Sequence, residues 1–98
     1  PPFTRLIRIV VSSPEVESAR ERAESIAVRV REVFLEGEVL LGPVECPLAR
    51  IQNRWRFHLL VKGPDPSIVS RIHRAVNPGE WSRGKDMVTI DVDPLSLL

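Results

Sequence analysis

Arginine and aromatic side chains alternate in the middle of the chain, in the run Arg54-Trp55-Arg56-Phe57, a short distance after Arg50. Arginine presents a planar fork of N–H donors that matches phosphate oxygens, and aromatic rings stack on unpaired bases. We therefore predict that Arg50, Arg54 and Arg56 contact phosphates, and that Trp55 is a candidate stacking platform. Trp55 and Phe57 also alternate in phase with the apolar residues that follow them, so the alternative that both rings belong to the core stays open.

The positive charge of the chain is concentrated near these residues. Six of its 14 Lys and Arg lie in the window from Arg50 to Arg74, which contains one acid, so the window carries a net charge of +5 in a chain of net charge +1. The cations of the window are Arg50, Arg54, Arg56, Lys62, Arg71 and Arg74. A local excess of one sign attracts polyanions, so Lys62 is a further and weaker candidate for phosphate contact.

The segment Gly79–Asp86, GEWSRGKD, is close to the phosphate-binding P-loop, with two glycines five residues apart and a lysine after the second. A P-loop needs a hydroxyl at the position of Asp86, where a carboxylate would repel phosphates. A P-loop also follows a strand and opens a helix, whereas this segment follows a predicted helix. We interpret it as a connecting loop and expect no ATP hydrolysis by this chain.

Two other groups of side chains could do chemistry. Asp91 and Asp93 share one face at the end of a predicted strand, but hard cations take several oxygen ligands and few other acids are near. Cys46, His58 and His73 are too few and too scattered for zinc. A nucleophilic Cys46 with His58 as its base stays open beside the simpler interpretation of a buried cysteine and a polar-face histidine. We expect neither a catalytic site nor a cofactor in this chain.

The composition fits a single small globular domain, since 43% of the 98 residues are hydrophobic and 28% are charged. No apolar run approaches the about 20 residues that a membrane-spanning helix needs, and no signal peptide is visible. The single Cys46 cannot form an internal disulfide, which fits a reducing, cytoplasmic location. Because the chain starts Pro1-Pro2-Phe3 and its single methionine is Met87, we expect it to be a piece of a larger protein.

Hydrophobic periodicity predicts the elements that position the candidate residues. Arg5–Ser12 alternates as a first strand. A long helix is predicted from Ser13-Pro14-Glu15, with a hydroxyl cap and a proline at the first helical position, to Gly37. Its apolar stripe consists of Val16, Ala19, Ala23, Ile26, Ala27, Val30, Val33 and Phe34.

The second half of the chain is predicted to hold three strands and a shorter helix. The strands cover Glu38–Leu41, Arg54–Lys62 and Met87–Val92, the helix runs from Asp65 to Asn77, and a polar loop follows at Glu80–Lys85. Between the first two of these strands lies a proline-stiffened lead-in with a cationic tip at Gln52-Asn53-Arg54.

The order β-α-β-β-α-β packs most simply as a ferredoxin-like α+β fold, a four-stranded antiparallel sheet with two helices on one face. The other face of the sheet would be partly uncovered. The side chains predicted to point there are Arg8, Arg56, His58, Lys62 and Thr89. The apolar tail residues Leu95, Leu97 and Leu98 are expected to pack on this domain or on a neighbouring one.

Three segments form a recognisable set. One starts at Leu41 and reads LGPVECPLARIQNRWRFHLLVKG, another is Pro1-Pro2-Phe3, and the last is IDVDPLSLL at Ile90–Leu98. They are similar to LGPxPxPIxRLxGRYRxQLLLK, YPPF and IDVDPxSxL in the C-terminal domain of the primosomal protein N′, or PriA, helicase family of bacterial replication restart. The motifs occur in the order of that family, and the resemblance covers the whole chain as one domain.

The resemblance implies a DNA-binding accessory domain with a ferredoxin-like fold, which helps a primosome protein to recognise branched DNA at stalled forks. The implied partners are forked or single-stranded DNA, the single-strand DNA-binding protein and other primosome proteins. The domain is expected to be a monomer and not to associate with membranes. ATP and zinc are implied for other domains of the parent helicase. The alternative is a docking module, intramolecular or for another protein, with no direct DNA contact.

Carried over by the resemblance, the three motif arginines are phosphate contacts, and Asp91 and Asp93 fix the terminal strand or dock it on the helicase core. The chain departs from the family pattern at Asn53, where glycine is usual. Asparagine suits a left-handed turn, so we predict that conformation there. Trp55 replaces a tyrosine and loses its hydroxyl, and Cys46 lies in a run that is usually small and unreactive.

Overall fold

Seven elements follow one another in the computed structural model, which describes residues 4–95. They are β1 (Arg5–Ser13), α1 (Val16–Glu32), β2 (Val39–Ile51), β3 (Arg54–Gly63), α2 (Ile68–Ala75), α3 (Pro78–Trp81) and β4 (Met87–Val92). Residues 1–3 and 96–98, which carry parts of two of the three motifs, lie outside the described residues.

The four strands form one antiparallel sheet in the order β2-β3-β1-β4. α1 connects β1 to β2, and α2 with α3 connects β3 to β4. Neither pair of strands is adjacent in the sheet, so both connections cross over it. This strand order, with helices against one face, is the ferredoxin-like α+β fold. The fold predicted from the sequence is confirmed.

The apolar side chains that alternate along β1 and β3 point toward the helices and form the core. Ile7, Ile9 and Val11 of β1 have no exposed surface. The predicted stripe of α1 packs in the same cluster through Ala19, Ala23, Ile26, Ala27 and Val30, and β3 adds Phe57, Leu59 and Val61. Burying each large aliphatic side chain stabilises the fold by about 1.5–3 kcal/mol. The helices are therefore fixed to one face of the sheet.

β2 is much longer than the short strand predicted at 38–41, because the proline-containing lead-in is itself part of the strand. Pro43 and Pro47 cannot donate a backbone hydrogen bond, but β2 is an edge strand with one paired side, where proline is tolerated. The pairing with β3 shifts twice, and in the second shift residues 46–49, the β2 bulge, lie opposite the single residue Arg56. The end of this strand predicted at Leu41 was therefore wrong.

A two-residue turn joins β2 to β3. Gln52 and Asn53 have φ angles of 54° and 62°, and Ile51 pairs with Arg54 immediately beside them. Two successive left-handed residues are what the tightest hairpin turn requires, and asparagine tolerates that conformation better than most residues. The left-handed conformation predicted for Asn53 is confirmed.

The boundaries of α1 differ from the prediction. Ser13 is the last residue of β1 and not the helix cap, although its hydroxyl accepts a hydrogen bond from the Glu15 N–H at 3.1 Å. The helix starts at Val16 and ends at Glu32. Gly37, with φ of 86°, shapes the turn into β2 instead of ending the helix.

Two further predictions concern the second half, and the first of them needs correction. The polar loop predicted at 80–85 overlaps the one-turn helix α3, whose start is capped by the Asn77 side chain, which accepts a hydrogen bond from the Gly79 N–H at 2.8 Å. Leu95 is fully exposed, so it packs on none of the described residues, and its packing on a neighbouring domain stays a prediction. Leu97 and Leu98 lie outside the described residues.

Candidate nucleic-acid interface

The face of the sheet opposite to α1 and α2, here called the open face, contains a cleft beside the hairpin tip. The cleft has a volume of about 320 Å³ and is lined by Arg8, Val10, Ser12, Ile51, Gln52, Arg54, Arg56, Thr89 and Asp91. Alternate side chains of a strand share a face, so the even-numbered residues of β1 and β3 meet there. We call it the arginine cleft, because three guanidinium groups line it.

Arg54 is held in the arginine cleft by hydrogen bonds to distant parts of the chain. Its Nε donates to Ser12 Oγ at 3.0 Å, and its Nη2 donates to the Ser12 carbonyl at 2.9 Å and to the Lys85 carbonyl at 2.5 Å. These bonds tie the hairpin to β1 and to the loop before β4. Replacing Arg54 with alanine would therefore remove contacts of the fold together with the charge.

Arg56 lies next to Arg54 on the same face of β3 and is half-buried. Its Nη1 donates to the Leu48 carbonyl of the β2 bulge at 2.9 Å. The fold therefore orients both guanidinium groups in the absence of a ligand. A pre-ordered side chain loses less conformational freedom on binding than a mobile one.

Arg8 belongs to a buried polar cluster under the β2 bulge. Its Nε donates to His58 Nδ1 at 3.1 Å, and its Nη2 lies 3.6 Å from Cys46 Sγ. Burial lowers the pKa of His58, and the charges of Arg8 and Arg56 lower it further, so the imidazole is neutral at pH 7. Cys46, the first residue of the bulge, lies against this cluster.

The prediction that Arg8 and His58 would lie on an uncovered surface is therefore wrong in part. Both point to the open face, but they are only 5% and 6% exposed. Cys46 is 3% exposed, so its thiol is out of reach of a substrate, and the hypothesis of a Cys46 nucleophile loses support.

Arg50 and Trp55 lie together on the other face of the hairpin. They pair across β2 and β3, and the guanidinium carbon of Arg50 lies 5.2 Å from the centroid of the Trp55 ring. Such a stack is a cation–π contact. The sheet thus separates these two candidates from Arg54 and Arg56, although all four are close in sequence.

Lys62 and Arg71 lie away from the arginine cleft. Lys62 is six residues beyond Arg56 on β3, a distance of about 20 Å at ~3.3 Å per residue. Arg71 of α2 donates two hydrogen bonds to the Glu38 carboxylate, at 2.8 and 2.6 Å. Burial alone would raise the pKa of Glu38, but the hydrogen bonds from Arg71 and from the Leu35 N–H lower it. The cationic window of the sequence is therefore not one surface.

The cleft also contains residues that were not among the predicted site residues. Arg8 and Thr89 had been placed on this face by strand alternation alone, without a role. Asp91 pairs across the sheet with Arg8, which brings a carboxylate to the rim. Gln52 enters the cleft because the turn directs its side chain there. Because alternate residues of β4 share a face, the sequence could have placed Asp91 beside Thr89 on the open face. The position of Gln52 depends on the conformation of the turn.

The segment that resembles a P-loop begins within α3, and its residues 82–86 connect α3 to β4. Arg83 and Asp86 exchange backbone hydrogen bonds of 3.1 and 2.9 Å in a tight turn. The Asp86 carboxylate is buried and accepts hydrogen bonds from Ser18 at 2.5 Å and from Arg22 at 3.0 Å. Burial alone would raise the pKa of Asp86, but the hydrogen bonds from Ser13, Ser18 and Arg22 lower it.

Asp93 fixes the end of β4 to the start of β1, one of the two roles that the resemblance implied. The Leu6 N–H donates to Asp93 Oδ1 and Arg5 Nε donates to Oδ2, both at 2.9 Å. The hydrogen bond from the Leu6 N–H, together with Arg5, lowers the pKa of Asp93. No cluster of three or more His, Cys, Asp or Glu suited to a metal occurs in residues 4–95. In the same range, none of the helices has the length and apolar character to cross a bilayer.

The sequence also matches a known family along nearly its full length. The model of the primosomal protein N C-terminal domain matches residues 1–95. The chain belongs to this family. The replication restart protein PriA of Treponema pallidum is 29% identical over 98 residues, and that of Bacillus subtilis is 28% identical over 101 residues. Both alignments include the whole chain, which spans 15% and 12% of the lengths of those two relatives.

Solved structures of low sequence similarity share the fold. The de novo designed protein Foldit4 superposes with a TM-score of 0.68 at 12% identity, covering 96% of this chain and 100% of that one. A hydantoinase/carbamoylase family amidase from Burkholderia ambifaria gives a TM-score of 0.55 at 14% identity, covering 96% of this chain and 28% of the amidase. At these identities the similarity concerns the fold alone.

Proposed function

We propose that this chain is the C-terminal domain of a longer replication restart protein and that it holds unpaired or forked DNA on its open face. Membership of the primosomal protein N family and the names of the relatives support the role in replication restart. In this proposal, ATP hydrolysis and zinc binding belong to parts of the longer protein outside this chain. The domain contributes contacts to DNA and no chemistry of its own.

The arginine cleft is the observation that carries the DNA-binding proposal. Arg54 and Arg56 project from one face of β3 with their guanidinium groups held by carbonyl oxygens. An arginine fork that is already oriented suits the oxygens of a phosphodiester. Arg50 and Trp55 on the opposite face of the hairpin, and Lys62 at the far end of β3, are more distant contacts for a strand that passes around the hairpin.

Matched charge removals test this proposal. Arg56→Gln removes a cation from the cleft, and Arg31→Gln removes one from the exposed side of α1, so both variants have the same net charge. Fluorescence anisotropy with a labelled single strand at low salt should show about tenfold weaker binding for Arg56→Gln, because a hydrogen bond to a charged group contributes about 1.5 kcal/mol or more. Arg31→Gln should bind nearly as wild type.

Circular dichroism and urea unfolding should accompany this comparison, because Arg56 also bonds the Leu48 carbonyl. If the folded Arg56→Gln and Arg31→Gln variants lose equal affinity, net charge and not the arginine cleft attracts the DNA, and the proposed site is wrong.

A row of apolar side chains on β2 supports a second candidate function, a docking module. Val39, Leu41, Val44 and Ile51 are 40–54% exposed, and each pairs with an even-numbered residue of β3, so all four lie on the open face. Contiguous exposed apolar residues on an edge strand are typical of an interaction surface. This row would seat the domain against the rest of its longer protein.

Polar substitutions in the row separate docking from DNA binding. Leu41→Ser with Val44→Thr should weaken binding of the domain to the remainder of the parent polypeptide, measured by titration calorimetry. The same variant should keep its affinity for DNA. Unchanged calorimetric binding would count against the docking candidate.

A further inference from the structure

The arginine cleft has two walls of opposite character. Arg54 and Arg56 of β3 form the cationic wall, while Thr89 and Asp91 of β4 offer a hydroxyl and a carboxylate on the other side. Val10 lies between them on the floor and is almost buried. A surface that only attracts the DNA backbone gains nothing from a carboxylate at its rim, since a carboxylate repels phosphates.

Asp91 is exposed and directly opposite Arg8 in the pairing of β1 with β4. Within residues 4–95, the Asp91 side chain makes no hydrogen bond and no ion pair. By contrast, Asp86 and Asp93, its neighbours in sequence, are both bonded to arginine in the fold. The Asp91 carboxylate therefore has acceptor capacity that the fold does not use.

The separation of the two walls is on the scale of one nucleotide. β3 and β4 flank β1, two strand spacings or about 10 Å apart at ~4.8 Å each. Asp91 is level with Arg8 of β1 and Arg56 with Ser12, so the two residues are also offset by four residues along the strands, about 13 Å at ~3.3 Å each, and both side chains line the cleft between these positions. The volume of about 320 Å³ is at the lower end of the range of about 300–1,000 Å³ for small-molecule pockets. This space accepts a single base with its sugar and phosphate, but not a base pair lying flat.

We propose that the arginine cleft holds one unpaired nucleotide, with its phosphate on Arg54 and Arg56 and an amino group of its base donating to Asp91. This inference rests on the proposed DNA binding and adds a preference among bases. Cytosine offers its N4 amino group as a donor at the edge that faces a carboxylate, and uracil and thymine offer a carbonyl oxygen at the same place. The cleft therefore favours cytosine over uracil, and Asp91 determines that preference.

All-deoxycytidine and all-deoxyuridine strands of equal length isolate this contact, because the two bases differ only at that edge. Wild-type protein at neutral pH should bind the deoxycytidine strand about fivefold more tightly, the lower end of discrimination by a base contact. In Asp91→Asn the ratio should fall close to one, mainly through tighter binding of deoxyuridine, because an amide can also donate to a carbonyl oxygen. Glu24→Gln, which removes a negative charge on α1, should keep the wild-type ratio.

The outcomes separate this inference from the proposed function. Equal binding of the two strands by wild type would overturn the base contact and leave DNA binding intact. If Asp91→Asn strengthens the binding of both strands by the same factor, Asp91 only repels the backbone, and the inference is wrong. If wild type binds neither strand at low salt, the proposed function fails and this inference fails with it.

Discussion

At the scale of single residues, substitutions at the tip of the β2–β3 hairpin test the backbone conformation assigned to Asn53. Asn53 has φ of 62°, a conformation that glycine adopts without strain and β-branched residues avoid. Asn53→Gly should therefore be neutral or slightly stabilising, whereas Asn53→Val should lower the free energy of unfolding by about 1 kcal/mol or more. Urea denaturation of both variants measures this, and equal midpoints would contradict the assigned turn.

Strand alternation could predict which residues share a face but not what they contact. It placed Arg56 on the open face and Trp55 on the other, which the pairing of β1 with β3 bears out. It could not predict that Arg54 donates to the Lys85 carbonyl, which is 31 residues away in sequence. It also could not predict that Cys46 buries Arg8, because that contact depends on a bulge in another strand.

At the scale of elements, β2 departs furthest from the prediction. Prolines usually end a strand, so the sequence favoured a short strand followed by a proline-stiffened lead-in. Edge position and two register shifts let the strand continue past both prolines, and neither feature has a reliable signal in a single sequence. The other strands and the two longer helices were predicted within a few residues, because their apolar periodicity is strong.

The first register shift of β2 depends on Gly42. Its φ is 97°, and a Cβ there would lie 2.7 Å from the His58 carbonyl oxygen. Gly42→Ala should thus lower the free energy of unfolding by about 2 kcal/mol or more, from backbone strain and a backbone clash together. Gly84 also has a positive φ, of 59°, but no atom lies within 4 Å of a Cβ placed there. A Gly84→Ala variant therefore measures the backbone strain without the clash.

Urea unfolding of the Gly42→Ala and Gly84→Ala variants gives the comparison. Gly84→Ala should cost about 1 kcal/mol, the strain term alone. A cost at Gly42 no greater than at Gly84 would show that β2 has room to shift, and would contradict the close approach of the two strands.

At the scale of the whole molecule, three carboxylates tie together elements that are distant in sequence. Glu38 joins the start of β2 to α2, Asp86 joins the last loop to α1, and Asp93 joins the end of β4 to the start of β1. The pKa of each is lowered in the folded protein. The unfolded chain therefore binds protons at a higher pH than the folded one, and acid destabilises the fold.

The stability provided by these groups should be complete above about pH 5 and should fall as the pH drops through the ordinary carboxyl pKa values near 4 and below. Urea unfolding at a series of pH values measures the slope. Asp86→Asn should be less stable at neutral pH and should lose less further stability in acid than wild type. A wild-type free energy of unfolding that is constant between pH 5 and 3 would contradict these assignments.

The charge of the whole molecule shows the limit of reasoning from one sequence. The cationic window at 50–74 is divided by the fold among both faces of the hairpin, the far end of β3 and α2. Arg71 is neutralised by Glu38, and the cleft instead gains Arg8 from the start of the chain. The fold class was predictable from periodicity, but the surface that it creates depends on which strands become neighbours.

The salt dependence of DNA binding by the wild-type domain tests the central proposal most directly. With three or four cations on phosphates, the logarithm of the association constant for a single strand should fall with the logarithm of salt concentration at a slope of about −2 to −3, at about 0.7 per contact. Anisotropy titrations of single-stranded and forked DNA from low to moderate salt give this slope. Absence of binding at low salt, or a slope near zero, would contradict phosphate contact by the arginine cleft.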